Sequence, residues 1–207
     1  SDLVKLECVR PDVQIHYTTD GKEPDLQSAL YSEPLRLTTS KTVKAATFAN
    51  GEQIGKTLVL PVEWNKATAK PILGSNTEKL KLLVNGVRGS LKQTDFEWCS
   101  WMNNDTISFT VDLQKKEEIH TVTLGCITVY GMAVHKPACN FRLAGELHYS
   151  QKEIFREGSY VDNCSFALDN VQARYVRITL CGAGLCPENH VRPGQEARPF
   201  LDELIIE

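Results

Sequence analysis

The sequence predicts an all-β chain of two β-sandwich modules, and three observations carry that reading. Apolar residues recur with a period of two in both halves of the chain, as half-buried strands require. Asp20-Gly21 and Asn50-Gly51 place turn and hairpin signals between such runs. Between residues 65 and 75, Asn, Lys, Ala, Thr and Pro71 follow one another without periodicity. That break divides the 207 residues into a module at 1–64, a linker at 65–75 and a module at 76–207.

In the first module, Val4, Leu6 and Cys8 alternate with Lys5 and Glu7. Val13, Ile15 and Tyr17 repeat the pattern against Gln14, His16 and Thr18, which puts the first set inside. Asp20-Gly21 with Pro24 closes that strand in a turn. Val43 to Phe48 forms the next strand, Asn50-Gly51 turns the chain, and Leu58 to Val62 returns. Short strands at this spacing predict a small sandwich.

The second module opens with Asn76 to Leu83, a short helical turn leading into Val84-Asn85-Gly86-Val87-Arg88-Gly89-Ser90. That stretch reads as a tight turn rich in oxygen atoms, with Gly86 and Gly89 supplying positive φ. Ile107, Phe109, Val111 and Leu113 alternate with Ser108, Thr110 and Asp112. Val122, Leu124 and Cys126, then Phe141 and Leu143, then Val176, Ile178 and Leu180 do likewise, a set for two stacked sheets to bury between them. Phe200 to Ile205 makes a final strand with Asp202-Glu203 near its start.

A net charge of -3 gives no basic field for nucleic acid or anionic lipid. No apolar run is long enough for a membrane span. Ser1-Asp2-Leu3-Val4 passes at once into strand-like alternation, as in a fragment whose export signal lay upstream. Seven cysteines leave at least one unpaired within the chain. Cys126 and Cys181 fall within apolar strand patterns, as buried small hydrophobes do. The sharpest metal-ligand spacing is Cys181, Cys186 and His190, but it lacks a close Cys pair and an evident fourth ligand. Loop cysteines with no role in binding are the favoured reading.

The run Ile15-His16-Tyr17-Thr18-Thr19-Asp20-Gly21-Lys22-Glu23-Pro24, with Leu30-Tyr31, Pro34-Leu35 and Thr42-Val43-Lys44-Ala45, resembles the immunoglobulin-like domain that follows the catalytic barrel of chitobiases and β-hexosaminidases. The resemblance implies a structural spacer. Val111-Asp112-Leu113, Ala173-Arg174-Tyr175-Val176-Arg177-Ile178 and Leu201-Asp202-Glu203-Leu204, in this order after the Asn85 turn, resemble the factor V/VIII type C (discoidin) domain or carbohydrate-binding module family 32. That implies a discoidin-like jelly roll. Gly184-Leu185-Cys186-Pro187-Glu188-Asn189-His190 followed by Phe200-Leu201-Asp202-Glu203 is similar to tail modules of Bacteroidetes family 20 glycoside hydrolases. Together these imply the non-catalytic C-terminal region of an exported β-N-acetylhexosaminidase, periplasmic or on the cell surface. Its implied partners are the upstream catalytic domain and a glycan with N-acetylhexosamine or galactose termini.

The discoidin resemblance also implies one structural Ca²⁺. Its ligands would be the Asn85 side chain, the Leu82, Val87 and Asp202 carbonyls, Ser90 by carbonyl or hydroxyl, and the Glu203 carboxylate. A hard cation takes such an oxygen set. Asn85 stands where the family carries Asp, which removes one negative charge; an Asx-type turn is the alternative for it. For sugar binding, the loops named by the resemblance hold Phe96, Trp98, Trp101, Tyr130, His135 and His190. The alternatives are a core position for Trp98 and a strand cap for His135. The Arg of galactose-binding members has no counterpart between Leu124 and Asn140. Asp202-Glu203 mimics the catalytic pair of family 20, yet neighbours on a strand point to opposite faces and no barrel pattern surrounds them. No G-x-S-x-G motif or Gly-rich phosphate loop occurs.

Overall fold

A computed structural model describes residues 4–101, 106–143, 146–150 and 155–207, with backbone alone for 138–150. It is nearly all β and divides into two compact units, residues 1–64 and 65–207.

In the first unit, β1 (Gln14–Thr18), β2 (Ala29–Leu30), β3 (Lys41–Ala49) and β4 (Glu52–Val62) form one antiparallel sheet in the order β2-β1-β3-β4. Ala49 pairs with Glu52, so Asn50 (φ 52) and Gly51 (φ 84) form a two-residue hairpin turn. Both central residues have the positive φ that matches strand twist, as the Asn-Gly pair predicts. Val43, Ala45, Phe48 and Val62 are buried together with Val4, Leu6, Leu35 and Leu37 from segments outside the sheet. Val4 and Leu35 pair in an isolated antiparallel bridge outside the sheet. Two expectations are corrected here. Cys8 is exposed, because the alternation that buries Val4 and Leu6 ends before it. His16 points inward rather than outward: its ring meets Phe48 edge-on at 5.3 Å and its Nδ1 lies 2.9 Å from the Ser28 carbonyl. That carbonyl satisfies one ring nitrogen, which lets a histidine take a core place.

The second unit begins at Asn65. Residues 65–75 are not a linker: Ala67, Thr68 and Ile72 are buried, and β5 (Ile72–Gly74) pairs with β7. Short apolar residues without periodicity fill core space here, while the Lys66 amide donates to Ile206 O at 3.0 Å and the Ala69 amide to Val84 O at 2.7 Å. Helix α1 (Thr77–Leu80) follows, capped by the Asn76 side chain, and runs into a 3₁₀ turn at Lys81–Val84. Then come β6 (Cys99–Ser100), β7 (Ile107–Val129), β8 (Ala138–Leu143), β9 (Glu146–Ser150), β10 (Ser159–Cys181) and β11 (Phe200–Ile206).

The strand order is β6-β11-β7-β10-β8-β9. β7 and β10 are each 23 residues long, so the separate strands expected at 107–113 and 122–126 are one bent ribbon. Gln114 (φ 70) and Asn170 (φ 49) lie beside the register shifts of their antiparallel pairing. Such bulges bend a strand without ending it. Phe109, Val111, Leu113, Val122, Leu124, Val176, Ile178 and Leu180 form the core with Leu201 and Leu204, as the period of two requires. No helix among the described residues is long and apolar enough to cross a membrane.

Candidate functional site

Two clusters in the second unit hold most of the residues singled out from the sequence. In the first, the 3₁₀ turn ends at Asn85, and Gly86 reverses the chain with φ 77. Asn85 Oδ1 accepts from the Val87 amide at 2.8 Å, an Asx-type turn, and its Nδ2 donates to Glu97 Oε2 at 3.1 Å. Gly89 does not have positive φ. Its need for glycine is one of space, because a Cβ there would lie 2.2 Å from the Trp98 ring.

β11 slips register against β7 between Leu201 and Leu204, and Asp202 and Glu203 occupy that irregularity. Both are fully buried, so neither carboxyl group reaches a substrate from solvent. The Asp202 side chain is fastened by Arg88 Nε at 2.8 Å, the Gly89 amide at 2.9 Å and the Glu203 amide at 2.7 Å. Arg88 also donates to Asn163 on β10 at 2.9 Å. Glu203 accepts from the Gly86 amide at 3.1 Å and from Asn65 Nδ2 at 3.3 Å. Asn65 Oδ1 accepts in turn from Ala67 and Ile206 amides. Burial outweighs these donors and pushes the Glu203 carboxyl up to about 9.

Of the six residues the resemblance gives to Ca²⁺, Glu203 and the Asn85 turn therefore meet directly. The Asp202 side chain belongs to Arg88, which leaves its carbonyl as the possible ligand. Ser90 already accepts from Trp98 Nε1 at its carbonyl (3.0 Å) and from the Lys92 amide at its hydroxyl (3.2 Å). Leu82 is half-buried and Val87 buried within the same turn. Sequence reasoning missed Arg88, Asn65 and Glu97. Arg88 sat inside the quoted turn, where only a buried acid elsewhere in the chain explains a basic residue.

The Glu203 carboxyl gives a pH prediction. The folded state holds a proton up to about pH 9, while the unfolded chain releases it near 4.5, the ordinary value. The native state therefore binds more protons across that window, and stability falls as pH rises, by up to about 1.4 kcal/mol per pH unit. Melting temperature against pH in chelator is expected to show this decline, and Glu203→Gln to flatten it.

The second cluster gathers Tyr130, His135 and His190 from the aromatic and histidine candidates. Phe96 is 92% exposed, and Trp101 is half-buried with Lys79 Nζ 4.8 Å above its ring. Trp98 is a core residue, packed with Ile127 and Val134. His135 and His190 are likewise buried, at 1% and 4% exposure, which removes them and Trp98 as open sugar-stacking faces. The physical reason is loop closure. Val134 bridges Arg198 and Leu185 bridges Glu196, which draws the Tyr130–His135 segment and the Gly184–Ala197 loop together. His135 Nε2 then lies 3.1 Å from His190 Nε2, and the half-buried Tyr130 ring packs on His190 at 3.9 Å between centroids. Cys186 is buried beside the two histidines, whereas Cys181 is partly exposed on β10 and belongs to no such group among the described residues. The sequence spacing found Cys186 and His190, and missed His135 as their neighbour because it lies 55 residues from His190.

Comparison with known proteins adds the following. Residues 1–58 match the chitobiase/beta-hexosaminidase C-terminal domain family. No curated protein matches the chain. Among solved structures it is similar to CpGH89CBM32-6 produced by Clostridium perfringens, at 13% identity and a TM-score of 0.45, covering 70% of this chain and 98% of that one. CpGH89CBM32-4 from the same organism, in complex with glcNAc-alpha-1,4-galactose, is similar at 12% identity and a TM-score of 0.44, covering 70% and 94%. A Streptococcus pneumoniae fucose binding module, SpX-3, is similar at 15% identity and a TM-score of 0.40, covering 70% and 97%.

Proposed function

We propose that the chain is the accessory C-terminal region of an exported family 20 β-N-acetylhexosaminidase, periplasmic or on the cell surface. It carries no catalytic residues of its own, and its second unit binds a glycan. The observation that carries this reading is the family match over residues 1–58. A weak glycan site suffices for such a role, since tethering to a catalytic domain raises the effective concentration of substrate at the enzyme.

On the second unit the fully exposed Phe96 ring, with the accessible parts of Trp101 and Tyr130, offers the apolar faces for C–H stacking on a sugar. A glycan array with N-acetylglucosamine, N-acetylgalactosamine and galactose termini is expected to show binding to one terminal class. Phe96→Ala should weaken it about two- to tenfold by calorimetry. A purely structural tail is the second reading, favoured by the burial of Trp98, His135 and His190. Silence across the array would put that reading first.

A structural Ca²⁺ belongs to the same proposal. What supports it is the buried Glu203 carboxyl, set against the Asn85–Gly86 turn where it accepts from the Gly86 amide. Glu203 would hold the ion together with Asn85 and the carbonyls of Leu82, Val87 and Asp202, and the ion would stabilise the ionised acid. Added Ca²⁺ should then raise the melting temperature and abolish the fall in stability with pH. An identical pH curve with and without Ca²⁺ would remove the ion from the proposal.

A further inference from the structure

His135, Cys186 and His190 converge from two loops distant in sequence, and their ligand-capable atoms all lie within 4.8 Å of one another. All three side chains are buried. The backbone that carries them is held independently of any ligand. The His135 amide donates to Arg198 O at 3.2 Å, the Arg198 amide to Ala133 O at 3.0 Å, and the Cys186 amide to Gln195 O at 2.8 Å. The Gly194 amide returns to Cys186 O at 2.9 Å. Around the three ligands stand Tyr130, Phe155, Ala133 and Ala197, a mostly apolar shell.

Two imidazoles and one thiol are the donor set of a borderline-soft cation, unlike the oxygen set around Glu203. A tetrahedral Zn²⁺ has Zn–N near 2.0–2.1 Å and Zn–S near 2.3 Å, which separates its ligand atoms by roughly 3.3–3.6 Å. The 3.1 Å between the two Nε2 atoms is already close to that spacing. We propose that His135, Cys186 and His190 form a Zn²⁺ site that staples the Tyr130–His135 segment to the Gly184–Ala197 loop, with water as the fourth ligand.

The proton inventory is explicit. The Arg192 amide donates to His190 Nδ1 at 2.9 Å, so the neutral ring carries its proton on Nε2 and gives it to His135 Nε2. Zinc entry takes the lone pairs of both Nε2 atoms and of the Cys186 thiolate. The His190 proton moves to Nδ1, and the Arg192 amide, on an exposed residue, passes to water. The thiol proton leaves to solvent, so one proton is released per ion bound.

The test uses the full chain, chelator-stripped, in a Cys8→Ser background that removes the exposed thiol. Co²⁺ serves as the spectroscopic probe and Zn²⁺ as the competitor. The expected result is one equivalent of Co²⁺ with a thiolate-to-metal charge-transfer band, displaced by Zn²⁺, and a melting temperature raised by about 5–10 °C at a hundredfold excess over Kd. Cys186→Ala should abolish the band and His190→Gln should weaken binding at least tenfold, with far-UV circular dichroism confirming that each is folded. Absence of the band in the parental chain overturns the proposal, whatever the variants do. So does a band that persists in Cys186→Ala. If the cysteine variant fails to fold, His135→Gln is read with His190→Gln for weakened Co²⁺ binding, and unchanged affinity in both overturns the proposal.

Discussion

Arg88→Met is expected to destabilise the second unit by about 3–5 kcal/mol, because it orphans the buried Asp202 carboxylate. Asp202 has no exposed surface, while the Arg88 side chain is about one quarter exposed. Methionine keeps most of the apolar stem but withdraws the guanidinium, and the carboxylate is left with two backbone amides and no counter-charge. Removing one partner of a buried pair costs more than the pair itself contributes, because the remaining charge has lost both water and partner. Gly125 marks how closely the network is built. A Cβ there would lie 1.9 Å from Asp202 Oδ1 and 2.8 Å from Arg88 Nη2. Urea unfolding of the second unit checks the prediction. Arg88→Met combined with Asp202→Asn should cost less than the sum of the two single changes, since the asparagine no longer carries an orphaned charge. A loss below about 1 kcal/mol for Arg88→Met would mean that the pair behaves as a surface salt bridge.

The sequence made local features legible and left long-range ones hidden, for a physical reason. Asn50-Gly51 determines its own turn because positive φ at two successive residues is a local property of the chain. The alternation from Ile107 to Leu113 is legible for the same reason, since one face of a strand is either buried or not. By contrast, the partner of Asp202 lies 114 residues away, and nothing in the period of β11 points to Arg88. Residues 65–75 read as a linker because Ala67, Thr68 and Ile72 enter the core singly, with no repeat to announce them. The sugar candidates divide on the same ground. Aromatic and histidine residues in loops read alike from sequence, and only the bridges from Val134 and Leu185 show that His135 and His190 close inward while Phe96 stays out.

Gly89→Ala is expected to cost about 3 kcal/mol and to move Trp98, although glycine and alanine differ by one methyl group. The backbone at Gly89 is not left-handed, so the penalty is purely one of space. The new Cβ would fall 2.2 Å from Trp98 Cε2, 2.5 Å from Cζ2 and 2.6 Å from Nε1, so it meets a rigid ring face rather than the end of a flexible chain. The ring cannot retreat freely. Its other contacts are Ile127 and Val134, and its indole N–H donates to Ser90 O at 3.0 Å. Displacement therefore disturbs packing under the loop and strains or breaks the hydrogen bond that ties the turn to Trp98. A blue-to-red shift of tryptophan emission is expected with the loss of stability, and Trp98→Phe in the Gly89→Ala chain should recover part of it by removing the bulk that clashes. Because Ser90, Asn85 and Gly86 share one turn, the same variant should also weaken any Ca²⁺ response of that turn, while the Co²⁺ spectrum of the His135–Cys186–His190 cluster should not change. Loss of both responses together would mean that the displacement passes through Trp98 and Val134 to the neighbouring His135, rather than yielding locally at the turn.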